Sequence, residues 1–171
     1  MEISGEYVQL SVNDGTTMRA WVARPKEEGA HPGLLVFQEA FGVNVHIRDI
    51  AGRFAREGFV AVAPELFHRT GAGIEVRYDD FPSAVPHMKA LNDASMAADQ
   101  RAAFDWLRGY IRENLPISAI GYCMGGRAAF LAAITLPLAA AISYYGGGIA
   151  PNAILSFLDW ATSPDGREPV W

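Results

Sequence analysis

The chain is poor in the residues that build cages and staples. It carries one cysteine, Cys123, in 171 residues. That excludes an internal disulfide framework and any zinc cage made of cysteine thiolates. Basic side chains are the minority, 14 against 19 acidic ones for a net charge of −5, which disfavours nucleic acid or an anionic membrane surface as partner. No apolar run approaches the ~18 residues that a membrane span needs. The first five residues, Met1 to Gly5, lack the basic-then-apolar order of a signal peptide. No dinucleotide loop and no cluster of metal-ligating residues appears, so neither an organic cofactor nor a metal is expected. The expectation is a cytoplasmic protein without nucleic-acid or membrane partners.

What is present is a core. Half of the residues are hydrophobic and 19% are charged, a balance that buries apolar surface rather than staying disordered. With no internal repeat or linker, residues 1–171 are expected to form one domain. Glu6 to Val12 and Thr17 to Ala23 read as two extended runs joined by Asn13-Asp14-Gly15, the residues of a tight hairpin turn. The pattern then changes. Gly33 to Phe37 and Phe59 to Pro64 are unbroken apolar runs, the mark of strands covered on both faces. Between them Ile47, Ile50, Ala51, Phe54 and Ala55 follow helical spacing, and Gly58 stands where that helix should stop. After a polar loop, Ala103, Trp106, Leu107, Tyr110 and Ile111 repeat the helical pattern. Ile117 to Gly121, a helix from about Met124 to Thr135, and Ala139 to Tyr145 complete another strand–helix–strand unit.

The alternation predicts an α/β fold: a mostly parallel sheet with an N-terminal antiparallel hairpin at its edge and helices on both faces. In such sheets ligands bind beyond the carboxyl ends of the strands, so chemistry belongs just after Phe37, Pro64, Gly121 and Tyr145. Gly121-Tyr122-Cys123-Met124-Gly125-Gly126 occupies one of those places. It fits G-x-Nuc-x-G, a nucleophile elbow with cysteine where serine is usual. Side chains two residues before and after such a nucleophile would collide, and Gly121 and Gly125 remove the collision. The helix N-terminus beneath the sulfur favours a thiolate, and the Met124 N–H supplies half of an oxyanion hole. A plainer reading makes Cys123 a buried structural thiol. A phosphatase loop is excluded, because Cys-x5-Arg would need arginine where Ala129 stands, and Arg127 comes two residues too early. The second cluster is Gln38-Glu39-Ala40-Phe41-Gly42-Val43-Asn44. Its loop is placed to give the other oxyanion N–H, from Ala40. Glu39 either faces the sulfur or is a helix-entry acid drawn by the dipole.

Gln38 to Asn44, Ala61-Val62-Ala63-Pro64-Glu65-Leu66-Phe67, Gly121 to Gly126 and Tyr144-Tyr145-Gly146 together resemble the dienelactone hydrolase (carboxymethylenebutenolidase) family, up to about Pro151. The resemblance implies an α/β-hydrolase fold and hydrolysis of an enol-lactone or small ester. It implies Cys123 as nucleophile and Glu39 as the acid that contacts the resting thiol and takes its proton when substrate arrives. Tyr145, at the carboxyl end of the next strand, becomes a candidate for substrate binding, against the plainer reading of one more strand aromatic.

The pattern then breaks. In α/β-hydrolases the order is nucleophile, acid, histidine. Here His31, His46, His68 and His87 all precede Cys123, and only Asp159 and Asp165 follow it as acids. The family's last strands are therefore expected to be missing, with weak or absent turnover. Two alternatives stand beside the hydrolase: a remnant that binds a small ligand without turnover, and a thiol reactive towards oxidants or electrophiles. His46 and His68 fall on the carboxyl side of the sheet, His31 on the other, and His87 in a segment without pattern. Arg69 and Arg77 are possible carboxylate holders in the undecoded loop from Arg69 to Lys89. The apolar run Ala139 to Ser143 would form an exposed sheet edge and a route to a homodimer.

Overall fold

The computed structural model describes residues 1–149. Among them lie six strands, β1 (Ile3–Ser11), β2 (Thr17–Pro25), β3 (Gly33–Phe37), β4 (Val60–Pro64), β5 (Ile117–Tyr122) and β6 (Ala141–Tyr144). The helices are α1 (Val45–Arg56), α2 (Phe81–Lys89), α3 (Asp93–Tyr110) and α4 (Met124–Thr135). The strands form one sheet in the order β1-β2-β4-β3-β5-β6. β1 and β2 pair antiparallel, β2 joins β4 antiparallel, and β4, β3, β5 and β6 run parallel. The expected architecture holds.

Every residue of β3 and β4 is buried, and alternation sends their side chains into two cores. Leu34, Val36, Ala61 and Ala63 pack with Ile47, Ile50 and Ala51 of α1 on one face. Leu35, Phe37, Val60 and Val62 pack on the other with Ala103 and Leu107 of α3 and Ala128, Ala129 and Ala132 of α4. Each large side chain so buried contributes about 1.5–3 kcal/mol. The continuous apolar runs read as strands for this reason.

The helix boundaries follow local chemistry. Asn44 caps α1, its Oδ1 accepting from the Ile47 N–H at 3.1 Å, and Gly58 leaves the helix at φ +96°. Asn92 and Ser95 form a capping box that starts α3 ten residues before the first of its apolar positions named above. One element departs from expectation. The segment around His87 is not irregular but a helix, α2. It contains Pro82 at its start and Pro86 inside, and Ala84 is its buried residue, so no apolar stripe marks it.

The chain order sets the site. From β3 the chain crosses to β4 on one side, whereas from β5 it crosses to β6 on the opposite side. The direction of winding therefore switches between β3 and β5, and a crevice opens beyond their carboxyl ends. Phe37 of β3 stands opposite Gly121 of β5, so the segment from Gln38 and the turn at Cys123 flank that crevice. β6 lies at the edge of the described sheet opposite β1, and its four residues are exposed. Among the described residues no helix is long and apolar enough to cross a membrane.

Candidate active site

Cys123 sits at the corner between β5 and α4 with φ 55° and ψ −121°, a region L-residues rarely occupy. Such strain costs about 1–3 kcal/mol and survives only where packing fixes it. Two glycines do so. A Cβ on Gly121 would stand 1.8 Å from the Gly125 carbonyl oxygen, and one on Gly125 would stand 2.4 Å from the carbonyl oxygens of both Phe37 and Gln38. The turn is thus clamped between its own first helical turn and the end of β3. The Cys123 N–H bonds the Tyr144 carbonyl at 3.0 Å, which ties the corner to β6.

The thiol is half-buried. Burial pushes its pKa up, the Glu39 carboxylate pushes it further, and the nearby backbone N–H groups of Met124 and Ala40 oppose the rise. The helix N-terminus favours a thiolate, but burial is the largest influence on this thiol and works against the charged form. The backbone N–H groups of Ala40 and Met124 both lie near enough to the sulfur to favour its charged form. Donors placed there can bond an oxygen that gains negative charge beside the sulfur.

Glu39 is not a helix-entry acid, because Asn44 holds that position and the first turn of α1 carries no acidic residue. Its carboxylate turns toward the crevice. Oε1 accepts from the Tyr145 hydroxyl at 3.1 Å and Oε2 from the Tyr78 hydroxyl at 3.1 Å. Glu39 is therefore close enough to Cys123 to act through its charge, while its hydrogen-bond partners are phenols and not the thiol. Tyr145 is exposed, as a residue lining an open crevice should be, but its hydroxyl is engaged. Burial raises the Tyr78 pKa, and raises that of Tyr145 to about 12, with Glu39 adding to both.

The remaining residues of the Gln38–Asn44 segment shape its backbone. Gln38 is fully buried and accepts from the Leu66 N–H at 3.1 Å, joining the exits of β3 and β4. Gly42 adopts φ +82°, and a Cβ there would meet the Ile74 carbonyl oxygen at 1.9 Å. The Val76 N–H bonds the Phe41 carbonyl at 3.1 Å, so the loop after β4 lies across this segment and delivers Tyr78 to Glu39. Sequence reasoning missed Tyr78 because its loop shows no periodicity. The stacked pair Tyr122 and Tyr144, with ring centroids 5.3 Å apart, follows from their register on β5 and β6.

The other candidates lie elsewhere. Arg69 binds Asp99 through two bonds of 2.8 Å and also Asp14, so it braces the β1–β2 turn against α3. Arg77 pairs with Asp79. His31 bonds the Gly58 and Glu27 carbonyls at the amino side of the sheet, and His68 contacts Thr16 and Asp99 near the hairpin turn. His46 is exposed at the start of α1, and His87 bonds Thr70. A groove of about 590 Å³ between that turn and α3, lined by Asn13, Asp14, Ser95 and Arg101, has neither Cys123 nor Glu39 in its wall. Among the described residues no three His, Cys, Asp or Glu side chains group so as to hold a metal ion.

A six-stranded, mostly parallel sheet with a strained residue at a strand–helix corner defines the class: this is an α/β-hydrolase fold. Residues 18–162 match the Dienelactone hydrolase family, and the chain belongs to it. It is 34% identical over 143 residues to a candidate carboxymethylenebutenolidase of Synechocystis, covering 80% of this chain and 57% of that protein. A Salmonella typhi protein of the same description is 38% identical over 147 residues, covering 84% and 54%. A crystal structure described as a candidate dienelactone hydrolase from Klebsiella pneumoniae superposes with a TM-score of 0.76 at 35% identity, covering 85% of this chain and 61% of that one. The chain thus spans between half and two thirds of the length of these relatives.

Proposed function

We propose that the chain carries the nucleophile half of a carboxylic ester hydrolase of the dienelactone hydrolase type, acting on an enol-lactone or small ester. The observation that carries the reading is the strained, glycine-clamped corner that holds Cys123 at φ 55° between β5 and the start of α4, with the Ala40 and Met124 backbone N–H groups close by. The Cys123 sulfur adds to the substrate carbonyl, and the carbonyl electron pair moves to an oxygen held by those two donors. The thiol proton passes to Glu39. When the carbonyl re-forms, the bond to the leaving oxygen breaks, and that oxygen takes a proton from Glu39. Water then cleaves the thioester, releasing the carboxylic acid and restoring the thiol.

One observation favours a second reading, in which the chain acylates without rapid turnover. Among the described residues every histidine is engaged or exposed away from Cys123, and general base help is worth ~10²–10⁴-fold. Burst kinetics with 4-nitrophenyl acetate test both. One equivalent of phenolate per Cys123, followed by a slow phase, is expected. Equal release by Cys123→Ser would remove Cys123 from the mechanism, while fast continuous release would overturn the second reading.

A further inference from the structure

Among the described residues two non-glycine positions have positive φ, Cys123 at 55° and Tyr145 at 41°. They sit side by side, each just beyond Tyr122 or Tyr144, which pair in register on β5 and β6. The elbow explains the first. The second makes sense once its hydroxyl is followed, because the left-handed turn after β6 aims Tyr145 back at Glu39 Oε1, at 3.1 Å. A strained residue held in place by its surroundings is where a functional contact is expected. The other carboxylate oxygen is taken by Tyr78, which comes from a different segment of chain. Its oxygen accepts from Asn44 Nδ2 at 3.3 Å, and its ring packs on Phe41 with centroids 4.5 Å apart. Each Glu39 oxygen therefore has one phenol donor, from opposite sides of the crevice.

We propose that Tyr78 and Tyr145 are positioning residues that hold the Glu39 carboxylate beside the Cys123 sulfur but off it, releasing it to the thiol only when their bonds to it break. The inference rests on the reading of Cys123 as nucleophile and Glu39 as its proton acceptor. The physical basis is a competition between donors. A phenol O–H is a strong donor and a thiol S–H a weak one, so at rest the tyrosines win the carboxylate. The groups facing the sulfur are Glu39 from the end of β3, Tyr145 from beyond β6, and the N–H groups of Ala40 and Met124. Tyr122 and Tyr144 stand behind Tyr145.

The test is the pH profile of Cys123 alkylation by iodoacetamide, which is clean because the chain has one cysteine. Tyr78→Phe and Tyr145→Phe keep the rings and remove only the donors. In the double variant Glu39 falls back on the thiol as its donor. The profile then shifts about one pH unit upward, and alkylation at pH 7.5 slows about tenfold, since one unit of pKa is a factor of ten in thiolate. In a Glu39→Gln background the same two substitutions leave the profile where Glu39→Gln alone puts it. A profile that stays still, moves down, or moves equally with glutamine at position 39 overturns the proposal. Either single variant gives a partial upward shift and serves if the double variant does not fold. Alkylation needs no turnover, so absence of acylation by an ester would sink the hydrolase reading while leaving this result readable.

Discussion

Replacing glycine by alanine at three positions should give three different answers, and the structure sets each sign. At Gly121 the new methyl meets the Gly125 carbonyl oxygen at 1.8 Å and its carbon at 2.3 Å. These are backbone atoms in the first turn of α4, which is itself pressed onto the end of β3, so no side chain can swing aside. Overpacking costs 1–3 kcal/mol where neighbours yield, and here about 3 kcal/mol or more is expected. For a chain of this size each kcal/mol moves the melting temperature by about 2–4 °C, which puts Gly121→Ala about 6–12 °C below the parent. At Gly15 nothing lies within 4 Å, but φ is +87°, so the cost is conformational, about 1–2 kcal/mol. At Gly109 the space is open and the residue lies within α3, so alanine should stabilise by about 0.5–1 kcal/mol. Thermal denaturation followed by circular dichroism reads all three. Gly121→Ala and Gly109→Ala melting within about 2 °C of each other would refute the claim that close backbone approach is what demands glycine at the elbow.

Other expectations follow from separate contacts. Arg69→Ala strands the fully buried Asp99 carboxylate and should cost about 3 kcal/mol at pH 7. Because burial already raises the Asp99 pKa, this deficit should shrink as the pH falls into the acidic range and Asp99 takes a proton, which urea midpoints across pH would show. The neutral phenol of Tyr145 is favoured in the fold, with its pKa pushed up to about 12, so its share of stability is present below about pH 10 and is lost as pH approaches 12. Tyr145→Phe should flatten that decline in an alkaline unfolding series. On the expectation that the exposed β6 edge pairs with a second copy, Ile142→Lys should weaken self-association in sizing runs at high concentration.

The sheet was legible because β3 and β4 are buried on both faces and therefore apolar at every position. The tight turn between β5 and α4 was legible because its two glycines answer a steric demand that no other residue type meets. The direction of Glu39 was not readable, since that depends on Tyr78 and on a left-handed turn at Tyr145. Neither is encoded by periodicity. α2 escaped for a related reason: with two prolines and Ala84 as its buried residue, it borrows its helical state from the surroundings rather than from a stripe of its own. Gly42 and Asn44 were noticed as parts of a motif, and the structure supplies their separate reasons, a carbonyl approach and a helix cap.

A helix N-terminus below a sulfur favours a thiolate, while burial and the Glu39 carboxylate push the Cys123 pKa up, and the proposed acyl chemistry has use for both. On the proposed reading a neutral thiol offers the nearby Ala40 and Met124 N–H groups only a weak acceptor. On that reading their strength is left for an oxygen that becomes charged only as the carbonyl is attacked, and interactions made in the transition state alone are the ones that accelerate a step. Alkylation by iodoacetamide develops no such oxygen. Cys123 should therefore alkylate more slowly than a free thiol at neutral pH while acylating faster with an activated ester. With a single oxyanion donor worth ~10²–10³, the ratio of acylation to alkylation should exceed that of glutathione by at least ~10². Parallel stopped-flow measurements with 4-nitrophenyl acetate and iodoacetamide give that ratio directly. A value equal to that of glutathione would mean that the two N–H groups merely pack against the sulfur.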